Sequence, residues 1–263
     1  MKLIDINRKN QKLFFNCLNP DTKGMGNSIR ERTKWYHEFH EKGYEAKLLL
    51  NEEGKIAGKC HFIPVEYSPL IGKDLLVILC ISVHLYDHHI GDQRGKGYGR
   101  FMLREIEKIA RKNGYGGVAV WAMDWHWNPM SFYIHMGYIE ADRIDKAVVM
   151  WKPFRDMIPP RFNRLHPIKD NKEKINVVVS DNAWCNGFNK IRIAREAVKD
   201  LKGKVDYYET ICPCHGRMLH LGYVGGIFLD GNPYRPYELV GESNELKETI
   251  LKLYREKSQS ILN

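Results

Sequence analysis

Glycine takes every second position in the latter part of Gln93-Arg94-Gly95-Lys96-Gly97-Tyr98-Gly99. A β-branched apolar run, Leu75 to Val83 (LLVILCISV), lies upstream of it. Phe101 to Lys112 (FMLREIEKIARK), directly downstream, has helical periodicity. Strand, glycine-rich turn and helix in that order build a cradle for phosphate. The glycines let successive backbone N–H groups point inward, and the helix N-terminus adds partial positive charge. Arg94, Lys96 and Arg100 surround it with formal charge. The spacing is neither the dinucleotide-binding G-x-G-x-x-G nor the Walker loop G-x-x-x-x-G-K-[ST].

Arg94-Gly95-Lys96-Gly97-Tyr98-Gly99 resembles the acyl-CoA signature [RQ]-x-x-G-x-[GA] of the GNAT superfamily of N-acyltransferases. A second match follows a strand-like segment, Gly117 to Met123. There Asn128-Pro129-Met130-Ser131-Phe132-Tyr133-Ile134-His135-Met136-Gly137-Tyr138 is similar to the family's N-x-x-[AS]-x-x-x-Y followed by G-[FY]. The tyrosine comes early, but the core F-Y-x-x-x-G-[FY] is matched without a gap. The likeness covers residues of about 1 to 155.

The resemblance implies a mixed, mostly antiparallel, splayed sheet with flanking helices, and acetyl-CoA as acyl donor. Backbone near Ile81 and Val83 would pair with pantetheine. Amides of Arg94, Gly95, Lys96, Gly97, Tyr98 and Gly99 would hold the pyrophosphate, with Arg100 and Asn128 completing the donor site. A small-molecule or peptide amine would attack the thioester directly, and Tyr133 stands at the general-acid position. An amine of pKa near 10 is neutral in only about one molecule in a thousand at pH 7, a cost of roughly 4 kcal/mol. A base is therefore needed. Asp124 is the first choice, with His126, His84 and Glu66 as alternatives. Trp121, Trp125, Trp127, Phe132, Tyr133 and Tyr138 give the expected pocket an aromatic rim, which favours a cationic or flat amine.

One departure from the family pattern is an insertion. Ten residues, HLYDHHIGDQ, separate Val83 from Arg94, where about five are usual. Adjacent histidines there lack metal-ligand spacing, so His84, His88 and His89 are expected in solvent and no metal site is assigned.

Formal charge is +9, from 41 basic and 32 acidic side chains. A basic balance invites a nucleic-acid reading, but a CoA site already asks for Lys and Arg, and the other basic residues are interleaved with acids. Neither nucleic acid nor a membrane is expected as a partner; a homodimer stays open. No apolar run approaches the roughly 20 residues of a membrane span. The N-terminus lacks a secretory apolar region, and six scattered cysteines do not form a secreted framework. A cytoplasmic protein is the expectation.

The periodicity predicts helices over Arg8 to Leu18 and Ile29 to Lys42, and a hairpin of Ala46 to Asn51 with Lys55 to Val65. Tyr138 to Asp142 and Lys146 to Trp151 close the sheet. The α/β GNAT-like domain is thus 1–155, with a Pro-rich basic linker over 156–173. Residues 174–263 then give β-α-β-(…)-β-β-α: strands Ile175 to Val179 and Lys204 to Thr210, a hairpin from Gly226 to Val240, and helices Lys190 to Leu201 and Asn244 to Lys257. That order resembles the smaller thioredoxin or glutaredoxin fold found behind some bacterial acetyltransferases. Trp184-Cys185-Asn186-Gly187 stands where that family carries W-C-x-x-C. Phe188 replaces the resolving cysteine, and Gly225 takes the place of the cis-proline. Cys212 and Cys214 follow the second strand, so one of them is expected near Cys185, with Cα atoms within about 7 Å. Two rival functions remain: a non-catalytic acyl-CoA-binding module with a partner-recognising second domain, and a monothiol redox protein using Cys185.

Overall fold

In the computed structural model the chain is described at residues 1–19, 26–124, 128–144, 146–162, 173–181, 188–211, 226–234 and 242–262. It divides into two units, Met1–Phe162 and Asn163–Asn263.

The first unit contains β1 (Lys2–Asp5), α1 (Gln11–Phe15), α2 (Gly26–His40), β2 (Glu45–Leu50), β3 (Ile56–Pro64), β4 (Leu70–Ile71) and β5 (Leu75–Val83). After these come α3 (Tyr98–Lys112), β6 (Gly117–Met123), α4 (Met130–His135), β7 (Ile139–Ile144), β8 (Ala147–Pro153) and β9 (Arg161–Phe162). Seven strands form one sheet in the order β1-β2-β3-β5-β6-β8-β7. Every neighbouring pair is antiparallel except β5 and β6, which run parallel. A parallel pair needs a crossover, and α3 supplies it.

β5 reads as an apolar run because both of its faces are covered at its start, where Leu75 to Leu79 are buried. Met102, Leu103, Ile106 and Ala110 recur at helical spacing on α3 and pack with Cys60, Phe62, Leu76, Ile78, Val118 and Val120. Alternate residues of β3 face the other way. There the His61 ring meets Phe14 and Tyr44, and Lys59 Nζ donates to Phe14 O at 3.4 Å. Trp35 stacks on Phe39 with centroids 4.8 Å apart and meets Tyr44 edge-on at 4.6 Å.

Some boundaries differ from the periodicity. α1 ends early because Cys17 and Leu18 take left-handed backbone, φ 52° and 65°. α3 begins at Tyr98, immediately after left-handed Gly97. Antiparallel pairing of β4 with β9 and burial of Phe162 tie the start of the proline-rich segment to the first unit. That unit therefore runs on to Phe162.

The second unit holds β10 (Ile175–Asp181), α5 (Phe188–Val198), β11 (Val205–Ile211), β12 (Gly226–Leu229), β13 (Asn232–Pro233) and α6 (Ser243–Leu262). Its sheet runs β11-β10-β12-β13, with β10 and β11 parallel and the remaining pairs antiparallel. Val177, Val179, Ala194, Ala197, Leu246 and Ile250 share one buried cluster from sheet and both helices. Asn176 N–H donates to Asp230 Oδ1 at 2.8 Å. Lys257 Nζ reaches Asp230 Oδ2 at 2.9 Å, which ties α6 to the turn after β12. Cys185, Cys212, Cys214 and Gly225, with the expected sulfur pairing, lie outside the described residues.

Candidate functional site

The turn between β5 and α3 opens at Asp92, whose carboxylate accepts from Arg94 Nε at 2.8 Å and Nη2 at 2.6 Å. These side-chain bonds, with a backbone bond from Arg94 N–H, pull the Asp92 carboxyl down to about 2. Gly95 and Gly97 then take φ of 76° and 80°, the left-handed region that only glycine enters without strain. A Cβ at either position would meet nothing within 4 Å, so backbone conformation, not crowding, requires glycine there. Phe101 N–H reaches back to Gly97 O at 3.0 Å. Among the described residues, the N–H groups from Gly95 to Arg100 have no protein acceptor. Six donors at one helix start, flanked by Arg94, Lys96 and Arg100, constitute an anion site.

Beside this turn the sheet opens. β5 pairs with β6 only from Leu75↔Gly117 to Ile78↔Val120, although β5 runs to Val83 and β6 to Met123. The opening coincides with a bulge: His61 faces Cys80 while Phe62 faces Ile78, so Leu79 is the extra residue. Past it, Cys80, Ile81, Ser82 and Val83 change from buried to half-buried. Among the described residues β6 forms no rung to Ile81, Ser82 or Val83, and such an edge suits an extended ligand that adds itself as a strand.

Tyr133 is anchored at the same opening. Its hydroxyl donates to Asn128 Oδ1 at 3.0 Å, and Asn128 Nδ2 donates to Trp121 O at 2.8 Å. Trp121 is the first β6 residue beyond the last rung to β5. Asn128 itself sits at φ 47°, and Met123 N–H donates to its carbonyl at 3.0 Å. Tyr133 is 1% exposed. Burial raises its pKa well above that of a free phenol, and the Cys80 thiol on β5 adds to the effect. The phenol is therefore held protonated, bonded to the β6 side and close enough to feel a β5 side chain. Tyr133 and Tyr138 are both buried, so neither adds an exposed ring to the expected aromatic rim; Trp125 and Trp127 lie outside the described residues.

The residues nominated as bases are differently placed. Asp124 accepts from Arg143 Nη1 at 2.9 Å, while Arg143 Nη2 also holds Glu140 at 2.7 Å. Glu66 is exposed beyond Pro64, whose rung to Leu76 lies at the end of β5 remote from the turn. His84 is buried rather than solvated: its Nδ1 lies 3.0 Å from Gly91 O, and Gln93 N–H closes onto His84 O at 2.8 Å. The inserted loop folds on its own base, which is why His84 leaves solvent while His88 and His89 remain in it. His126 lies outside the described residues. No group of three or more His, Cys, Asp or Glu suited to a metal occurs among the described residues.

No family profile and no curated protein matches this chain. Among solved structures it is similar to a GNAT-family acetyltransferase from Staphylococcus aureus Mu50, at 14% identity and TM-score 0.43, over 59% of this chain and 99% of that one. It is also similar to the PaiA N-acetyltransferase of Thermoplasma acidophilum in complex with coenzyme A, at 15% identity and TM-score 0.41, over 58% and 98%. A third is an aminoglycoside 6′-acetyltransferase type Ii, at 16% identity and TM-score 0.43, over 59% and 99%.

Residues without a sequence signal also gather on the face of β3 that α1 and α2 cover. His61 is fully buried, and neither ring nitrogen has a hydrogen-bond partner among the described residues. Burial, then the Lys59 and Arg32 charges, push its pKa well below the ordinary histidine value. Lys59 Nζ lies 3.3 Å from Cys17 Sγ, and an Arg32 N–H donates to Phe15 O. Strand alternation alone assigns Lys59 and His61 to an outer face. The cover of α1 and α2 makes that face interior.

Proposed function

We propose that the first unit is an N-acyltransferase of the GNAT type that moves an acetyl group from acetyl-CoA to an amine. The supporting observation, among the described residues, is the adjacency of six acceptor-free N–H groups at Gly95 to Arg100 and the stretch Ile81 to Val83 of β5 that lies past the last rung to β6. A diphosphate joined to an extended, amide-bearing arm fits that pair of features, and the left-handed glycines keep the anion site clear of side chains. Bound there, the donor supplies an activated thioester carbonyl.

The chain's own residues do the rest. Backbone of Ile81 and Val83 orients the arm, and Gly95 to Arg100 hold the diphosphate. Arg94 exchanges Asp92 for phosphate at little net cost, because both the pair and its replacement are exposed and screened. Tyr133, kept protonated by burial, holds the proton that the leaving sulfur requires. Asn128 fixes the phenol's direction. Asp124 is the described base candidate, and its use requires the Arg143 pair to open. Direct attack needs no nucleophilic side chain.

Release of free thiol from acetyl-CoA in the presence of an amine panel tests this reading. Wild-type chain should release thiol with at least one amine, and Tyr133→Phe should slow it by about 10²-fold or more. A second reading is favoured by the sealed state of Tyr133 and the ion pair at Asp124: an acyl-CoA-binding module without turnover. Tight CoA binding with no thiol release from any amine would select it.

For the second unit we propose a thioredoxin-like fold without dithiol chemistry. The sheet order second-first-third-fourth, with only the first two strands parallel, supports it. So do α5 and α6 packing together in one cluster.

A further inference from the structure

Just past the end of α1 a thiol rests against a buried amine. Cys17 takes left-handed backbone, φ 52°, and its half-buried Sγ lies 3.3 Å from Lys59 Nζ on β3. Lys59 itself is 1% exposed. Its ammonium sits 5.0 Å from the centroid of the Phe14 ring and donates to Phe14 O at 3.4 Å. The α1 segment thus fixes both partners, since Phe14 holds the amine and Cys17 brings the sulfur to it. Tyr86 of the inserted loop closes a third side, its hydroxyl donating to Cys17 O at 3.5 Å. None of these side chains has a part in the acyl transfer proposed above.

The other described cysteines differ. Cys60 packs on the α3 side of β3, where burial pushes its thiol up to about 12. Cys80 is half-buried on β5 and lies across from His61. Cys17 combines partial exposure, which admits a small oxidant, with a lysine nitrogen at 3.3 Å, the range from which reacting atoms meet. A thiol oxidised by peroxide becomes a sulfenic acid, an electrophile that a neighbouring nitrogen can capture.

We propose that Cys17 and Lys59 form a reversible, peroxide-driven S–N cross-link that ties the end of α1 to β3. In the first step two electrons pass from the Cys17 sulfur into the O–O bond, so that thiol and hydrogen peroxide give sulfenic acid and water. In the second, the Lys59 ammonium gives one proton to solvent and the free amine attacks sulfur. The S–O bond breaks, and the departing hydroxide takes a second proton from nitrogen to leave as water. A thiol reductant reverses the link: one thiolate attacks sulfur and returns the amine, and a second releases Cys17 from the mixed disulfide. The cross-link stands whether or not the first unit transfers acyl groups.

Peptide mapping by mass spectrometry, on the full chain treated with hydrogen peroxide, tests it. The expected product is a peptide pair joined through Cys17 and Lys59, about 2 Da lighter than the two free peptides together, which dithiothreitol separates. Alkylation in denaturant after oxidation should label Cys60 in that pair, which distinguishes an S–N link from a Cys17–Cys60 disulfide of the same mass. Oxidised wild type should also melt about 5 °C above the reduced protein, because the link closes a long loop. Lys59→Met should lose the pair and let Cys17 advance to the sulfinic acid. Cys17→Ser, which leaves the buried lysine in place, should lose both the pair and the melting shift. Wild-type Cys17 found as sulfinic acid beside an unmodified Lys59, or found in a disulfide, would overturn the cross-link.

Discussion

Tyr133 and His61 show how burial sets a side chain's protonation here. The pattern F-Y-x-x-x-G-[FY] singles out Tyr133 in the sequence, but nothing there shows its tie to Asn128, since only the folded turn brings that amide under the phenol. Likewise nothing in the sequence joins Asp124 to Arg143, which lies on the following strand. His61 offers a pH test. Its folded-state pKa is depressed by burial, so below about 6.5 the unfolded chain binds a proton that the folded chain refuses. The stability contributed by the neutral ring is complete above that pH and is lost as pH falls through it. Urea midpoints between pH 8 and pH 5 should therefore drop less in His61→Phe than in wild type. The substitution should also raise stability at pH 7, because a buried ring with two unsatisfied nitrogens costs about 1–3 kcal/mol. An equal acid slope in both proteins would contradict the burial assigned to this imidazole.

At the scale of elements, the glycine turn before α3 is where sequence and structure agree closely. Alternating glycines announced a turn, and the turn has two left-handed residues. Leu75 to Val83 and Gly117 to Met123 form strands with the expected bounds, because apolar runs that short and that β-branched have no competing helical period. α1 was overestimated, since left-handed Cys17 and Leu18 carry no glycine or proline to announce them. The bulge at Leu79 was invisible for a related reason: an extra residue in an all-apolar strand leaves no break in the pattern. Gly97→Ala should destabilise the first unit by about 1–2 kcal/mol through backbone strain alone, as no neighbour crowds the added methyl. Its effect on coenzyme A affinity should exceed that of an exposed Gly114→Ala, which is also left-handed but sits past the far end of α3. Calorimetric melting and titration of the two variants measure both.

Across the whole molecule, the change of composition after Pro153 located a junction, but proline content could not say where packing ends. Phe162 decides that: it is buried, on a strand paired with β4, and its N–H donates to Asp142 Oδ2 at 2.8 Å. Phe162→Ala in the full chain should cost about 3–5 kcal/mol in the first unit. Native-state hydrogen exchange should show faster opening of β4, β7 and β8, with β10 and β12 unchanged. Leu246→Ala should do the reverse, costing about 2–5 kcal/mol in the second unit. Equal effects of either variant on both sheets would contradict the division into two cores.

The claim on which the function depends is that the main-chain hydrogens of residues 95–100 are the ligand's grip. Hydrogen exchange of those amides, followed with and without coenzyme A, reads them one by one. Marked slowing at Gly95 to Arg100 and along Ile81 to Val83 is the predicted outcome. Binding of coenzyme A that leaves these amides exchanging at their free rates would contradict it.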